Sequence, residues 1–164
     1  MRLFEITPII GTPNKFSKDD ITQIVDLILS GNEVGSNQVI SNIKNAAIIV
    51  TIKDDTELKG IATLKNPLST YRKHISDKSG FDVSLTKFPY ELGYIVIIPS
   101  ARGTGLSRIL VDAAVNAANG KGIFATARTN NTRMISTLQK FGFKPVGNSY
   151  LGRDGVNKIQ IFVR

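Results

Sequence analysis

One segment constrains the fold more than any other: an apolar run, a glycine turn and an amphipathic helix in direct succession. Tyr94-Ile95-Val96-Ile97-Ile98 lies inside a strand expected over Glu91–Pro99. It is the strongest strand signal in the chain. A turn containing Gly103 and Gly105 follows it. Leu106–Asn119 then repeats apolar residues at helical spacing, with Ile109, Leu110, Ala113, Ala114 and Ala117 on one side, until Gly120 and Gly122 end the helix. The next strand is expected at Ile123–Arg128. A strand, a crossover helix and a second strand require at least one parallel pair.

The rest of the chain supplies the other elements. Leu3-Phe4-Glu5-Ile6-Thr7 alternates as a strand does. Ser17, the acids Asp19 and Asp20, and the series Ile21, Ile24, Val25, Ile28 and Leu29 read as a capped amphipathic helix stopped by Gly31. A weaker helical segment covers residues 36–44. Strands are expected at Ala46–Lys53 and Leu58–Lys65, joined by the polar turn Asp54-Asp55-Thr56, with residues 66–90 irregular. A helix over Asn131–Phe141 and a closing strand at Lys158–Val163 complete an α/β (α+β) pattern of strands in a meander followed by strands alternating with helices.

The 164 residues fit one core, so residues 1–164 read as a single domain. Cysteine is absent, which excludes disulfides, thiolate metal sites and a cysteine nucleophile. The N-terminus lacks the apolar run of a signal peptide and no stretch approaches a membrane span, so a soluble cytoplasmic protein is expected. The net charge of +8 is uneven: residues 91–164 hold 10 Lys/Arg against Glu91, Asp112 and Asp154 alone. Such an excess attracts coenzyme A, nucleic acid or an anionic surface alike. In the glycine turn, the unpaired N–H groups and positive dipole of the next helix favour an anion, and Arg102 and Arg108 add charge. A pyrophosphate is the natural occupant. A dinucleotide fingerprint lacks its third glycine here, and the phosphate loop of nucleotide triphosphatases lacks its Gly-Lys-Ser/Thr.

Arg102-Gly103-Thr104-Gly105-Leu106-Ser107 resembles the (Arg/Gln)-x-x-Gly-x-(Gly/Ala) signature of the GNAT N-acetyltransferase family, with Ser107 in place of the final small residue. Asn131–Phe143 resembles the same family's Asn-x-x-Ala-x-x-Leu-Tyr-x-Lys-x-Gly-Phe pattern, in the right order and distance. The likeness covers roughly residues 90–147. It implies a mixed, mostly antiparallel twisted sheet of six or seven strands flanked by helices, with a V-shaped cleft between the fourth and fifth strands. It further implies that Gly103, Thr104, Gly105, Leu106 and Ser107, assisted by Arg102, hold the pyrophosphate of acetyl-coenzyme A. Ile97 and Ile98 would pair with the pantetheine arm, and Asn131 would reach the cofactor from the opposite wall.

The implied reaction is transfer of an acetyl or other acyl group to a primary amine on a small molecule or peptide, without a metal. Glu91, 11 residues before Arg102, resembles the family's catalytic glutamate and would serve as general base. The family's usual acid is a tyrosine, and Leu138 stands at its position here. Tyr150, Tyr94 and Ser136 are the candidates left to deliver a proton, with Tyr150 taken as the catalytic choice. His74 is the sole histidine and reads as solvated. Residues 66–90 exceed a tight hairpin and interleave basic with aromatic side chains. A nucleic-acid modifier is therefore one alternative, and the missing tyrosine at Leu138 supports another, a non-catalytic acyl-coenzyme A binder. A monomer or homodimer is expected, away from membranes.

Overall fold

A computed structural model describes residues 6–31, 35–55 and 57–164. Among them are seven strands and five α-helices: β1 (Ile9–Gly11), α1 (Lys18–Gly31), α2 (Ser36–Lys44), β2 (Ile48–Lys53), β3 (Leu58–Lys65), α3 (Ser69–Ser79), β4 (Tyr90–Ile97), α4 (Leu106–Ala117), β5 (Ile123–Arg128), α5 (Thr132–Lys140), β6 (Lys144–Leu151) and β7 (Lys158–Val163). The sheet order is β1-β2-β3-β4-β5-β7-β6. β1/β2, β2/β3, β5/β7 and β6/β7 pair antiparallel, whereas β4/β5 is the expected parallel pair. The mixed, mostly antiparallel sheet with flanking helices is thus as the sequence implies.

The chain forms two compact units. The first takes the chain up to Asn66 together with Leu92–Asn119. Its α1 begins in a reciprocal cap: Ser17 Oγ accepts from Asp20 N at 3.0 Å, and Ser17 N donates to Asp20 Oδ2 at 3.2 Å. Two orphan amides are satisfied at once, which fixes the start of the helix. Ile24, Val25 and Ile28 of α1 join Val39 and Ile43 of α2 and Ile49, Leu58 and Ile61 of β2 and β3 in one core. α4 packs against β2 and β3 and buries Leu106, Leu110, Val111 and Ala114. At the β2–β3 connection Glu57 N donates to Asp54 Oδ1 (2.9 Å), and Lys59 bridges both acids. Of the expected polar turn, Thr56 lies outside the described residues.

The second unit takes Pro67–Glu91 and Gly120–Arg164. Its core gathers Ile75, Val83, Phe124 and Ile161, with Tyr71, Phe81, Phe88 and Tyr150 against them. Phe143, in the stretch after α5, is also buried.

Three expectations need correction. The first strand is Ile9–Gly11; Ile6 and Thr7 are not in a strand, and Leu3, Phe4 and Glu5 lie outside the described residues. Residues 66–90 are not irregular throughout, for Ser69–Ser79 is a helix. It ends at Gly80, left-handed at φ 73°, whose N–H bonds Ser76 O, a glycine C-cap. The helix was hidden because two of its buried residues are Arg72 and Ser79, so the apolar stripe is thin. β6 was not foreseen at all. It carries Pro145, Gly147, Asn148 and Ser149, which read as a turn, and it tolerates them as a mostly exposed strand with a register shift between Val146 and Tyr150.

Candidate functional site

In the first unit, β4 leads into the glycine turn. Gly93–Ile98 are all half-buried. Tyr94 sits at φ 46°, a left-handed value rare for a bulky residue inside a strand. Ile98 N donates to Lys59 O of β3 at 2.9 Å. Amides alternate along a strand, so Ile97 turns its own to the opposite edge. Its carbonyl accepts from Arg102 Nε at 3.3 Å. Of the two residues implied for the pantetheine arm, only Ile97 therefore has its backbone directed away from β3.

After a single 3-10 turn at Pro99–Ala101, Gly103 (φ 76°) and Gly105 (φ 85°) both adopt left-handed backbone. Side chains with a Cβ resist that region, which is why glycine stands at both places. The Thr104 hydroxyl donates to Ala101 O and pins the turn. α4 then starts at Leu106 with no side-chain cap and no acid in its first turn. Its first amides thus have no capping side chain, and the dipole is uncompensated there. Arg102, Gly103 and Thr104 are exposed, Gly105 and Ser107 half-buried, and Leu106 buried in the core. The loop can take an anion through backbone amides while Leu106 anchors it.

The first unit also holds a cavity of about 700 Å³ between the Pro13–Lys15 turn, α1 and α2, walled by Phe16, Ile21, Val25, Leu29 and Ile40. None of the site residues named from the sequence lines it.

In the second unit, Glu91 is 3% exposed and stands opposite Phe124 in the β4/β5 register. That register holds two pairs, Tyr90↔Ile123 and Glu91↔Phe124. Tyr71 of α3 donates its hydroxyl to Glu91 Oε2 at 2.8 Å. Tyr150 of β6 packs into the same apolar cluster as Tyr71. Burial pushes the Tyr150 phenol up to about 12, and the Glu91 charge adds to the effect. Burial likewise holds Tyr71 well above the ordinary phenol value, seconded by Glu91. Both phenols keep their protons at neutral pH, and Tyr71 uses its own to donate to the Glu91 carboxylate.

Arg72, 7% exposed, donates from Nη1 to Val83 O (3.0 Å) and Phe88 O (2.7 Å), and from Nη2 to Pro89 O (2.8 Å). Its guanidinium lies 5.3 Å from the Phe124 ring centroid. Burial lowers its pKa, and the Glu91 charge opposes that shift. A buried cation held by three carbonyls, with the Glu91 charge acting on it, avoids part of the cost of an unpaired buried charge.

Of the two residues named as catalytic, Glu91 accepts from Tyr71, and Tyr150 packs against the same apolar cluster as Tyr71. The loop residues 102–107 form one continuous turn. Asn131 caps α5 through Oδ1, which accepts from Met134 N at 3.2 Å. Leu138 is buried and His74 exposed on α3. Tyr94 is engaged elsewhere, its hydroxyl accepting from Asn42 Nδ2. Sequence reasoning missed Tyr71 as a site residue. The signal was Pro67 before and Gly80 after it, which bracket a helix that puts Tyr71 and Ile75 on one face.

The chain matches the model of the Acetyltransferase (GNAT) family over residues 28–143. It is similar in fold to an acyl-CoA N-acyltransferase from Pseudomonas aeruginosa, at 15% identity and TM-score 0.67 over 98% of this chain and 99% of that one. The ribosomal-protein-S18-alanine N-acetyltransferase of Escherichia coli gives 15% identity and TM-score 0.67, over 96% and 92%. A GNAT acetyltransferase from Bacillus cereus gives 19% identity and TM-score 0.65, over 96% of each chain. No curated protein matches the sequence significantly.

Proposed function

Because the chain belongs to the GNAT acetyltransferase family, we propose that it transfers an acetyl group from acetyl-coenzyme A to a primary amine, with residues 1–164 working as one catalytic domain. The observation that carries this reading is the uncapped start of α4 behind two left-handed glycines. The pyrophosphate accepts from the amides of residues 103–107, and Arg102 exchanges its bond to Ile97 O for a phosphate oxygen. The pantetheine arm covers the half-buried apolar edge of β4 and pairs with Ile97. The residues present fit the cofactor: donors without acceptors at its anionic end, apolar side chains along its arm.

In the reaction the amine nitrogen attacks the thioester carbonyl carbon, a C–N bond forms and the C–S bond breaks. Glu91 takes the ammonium proton, directly or through water. Tyr150 is the donor to the departing sulfur. At about 12 its phenol is roughly three powers of ten weaker an acid than a cysteine-like thiol near 8.5. Its role is then to hydrogen-bond the thiolate, not to hand over its proton outright. Protonation of Glu91 removes the charge that helps hold Tyr150 high, which makes the phenol a better donor just as sulfur leaves. Two of the proteins of similar fold are by name N-acyltransferases, one of them a ribosomal-protein-S18-alanine N-acetyltransferase. An amine acceptor is therefore the simplest assignment.

The test is a thermal melt with and without acetyl-coenzyme A, followed by thiol release with amines. Ligand at about 100 times its Kd stabilises by roughly 2.7 kcal/mol, a rise of several degrees for a chain of this size. Arg102→Glu should abolish the rise. No rise with any acyl-coenzyme A would overturn the cofactor assignment.

A further inference from the structure

We propose that α3 is a positioning element for the catalytic carboxylate: Tyr71 fixes the rotamer of Glu91, and Arg72 fixes the helix. This rests on the reading of Glu91 as general base. A carboxylate at the end of a strand segment has two free side-chain torsions before its terminal one, and a base displaced by about 1 Å loses rate steeply. Here one oxygen, Oε2, is held at 2.8 Å by a phenol from an element 20 residues away in sequence.

The phenol can impose a position only if its own helix is rigid, and the residue beside it supplies that. Arg72 ties α3 to three backbone carbonyls of the 83–89 stretch, which is otherwise without regular structure and leads directly into β4. Val83 N in turn donates to Ser76 Oγ of α3 at 3.1 Å. Helix, connecting stretch and the first residues of β4 are thereby one hydrogen-bonded body, with Tyr71 and Glu91 at its two ends. Tyr150 of β6 and Arg72 are the charged or titratable groups that bear on the pair. Structural satisfaction of a buried acid would need a donor; it would not need that donor on a helix braced at three carbonyls.

The experiment uses the full chain with acetyl-coenzyme A and four probe amines: a tetrapeptide with a free α-amine, Nα-acetyl-lysine amide, spermidine and benzylamine. Tyr71→Phe should lower kcat about tenfold with KM for the amine unchanged, because binding is intact and only the base is misplaced. Adding Tyr71→Phe to Glu91→Gln should cost nothing further, since a phenol that acts through the carboxylate has nothing left to position. That double variant also lacks the buried charge, so the comparison survives if Tyr71→Phe alone is too unstable to assay. Unchanged kcat in Tyr71→Phe, a rise in KM alone, or an additive loss in the double variant would overturn the inference while leaving the acyltransferase reading intact. A wild-type protein that turns over none of the amines would take both down.

Discussion

Asn42 Nδ2 donates to the hydroxyl of Tyr94 at 2.8 Å, joining α2 to a residue of β4 held at φ 46°. Lys65 Nζ lies 4.5 Å from the centroid of the same ring. A left-handed backbone at a bulky residue costs about 1–2 kcal/mol, and it persists only where the surroundings over-determine it. Asn42 and Lys65 are those surroundings. Asn42→Ala should therefore lower stability by about 1 kcal/mol in urea unfolding, the usual worth of a part-buried hydrogen bond. An unchanged midpoint would mean that the ring is held by Lys65 and packing alone.

Thr51 of β2 is 1% exposed, and its Oγ1 has no hydrogen-bond partner among the described residues. A buried orphan hydroxyl has lost its water and gained nothing in return. Thr51→Val keeps the branched shape and removes the orphan. It should raise stability by about 1 kcal/mol, or roughly 2–4 °C in Tm. A lowered Tm would show that the hydroxyl is satisfied in solution.

The Asp154 turn gives the pH prediction. Its Oδ1 accepts from Val156 N and Asn157 N, both at 2.9 Å, and Oδ2 from Asn157 Nδ2 at 2.7 Å. These bonds, the Asn157 side chain first, lower its pKa from 3.8 to about 2. The folded value lies below the unfolded one, so this stabilisation is complete above pH 3.8 and is lost as pH falls through about 2. The amide shifts of Val156 and Asn157 should titrate with a midpoint near 2. A midpoint near 3.8 would mean that the turn does not hold the carboxylate.

What the sequence made legible follows the strength of local signals. The Ser17–Asp20 cap, the α4 stripe and the strand–turn–helix around Gly103 and Gly105 are each written in contiguous residues, and each is found where it was read. α3 was not legible because its inward face spends two positions on Arg72 and Ser79, and the burial of Arg72 depends on carbonyls contributed by residues 83–89. β6 was not legible because its turn-forming residues sit at a register shift that only pairing with β7 creates. Glu91 and Tyr150 were named separately; the Tyr71–Glu91 hydrogen bond was not legible because it needs α3 first.

Two left-handed glycines separate a ligand role from a packing role. A Cβ on Gly103 would meet nothing within 4 Å, so Gly103→Ala should cost only the dihedral, about 1 kcal/mol. A Cβ on Gly147 would stand 2.8 Å from Ser79 O and 3.0 Å from Phe81 Cβ, so Gly147→Ala should cost clearly more. With acetyl-coenzyme A the order should reverse: Gly103→Ala blunts the ligand-induced rise in Tm, whereas Gly147→Ala leaves it whole. Equal blunting in both would argue against backbone approach at Gly103.

Tyr150→Phe tests what the phenol does. As a hydrogen-bond donor to the departing thiolate it is worth about ten- to a hundredfold in kcat, with little change in KM. Because the phenol stays protonated until about pH 12, the wild-type rate should show no descending limb from Tyr150 between pH 7 and 10. The Glu91 charge is one cause of that high value, so Glu91→Gln should bring the tyrosinate absorbance of Tyr150 in at lower pH. A descending limb near pH 8–9 that disappears in Tyr150→Phe would instead make the phenol a true proton donor. The cluster would then have to lower its pKa when substrate binds.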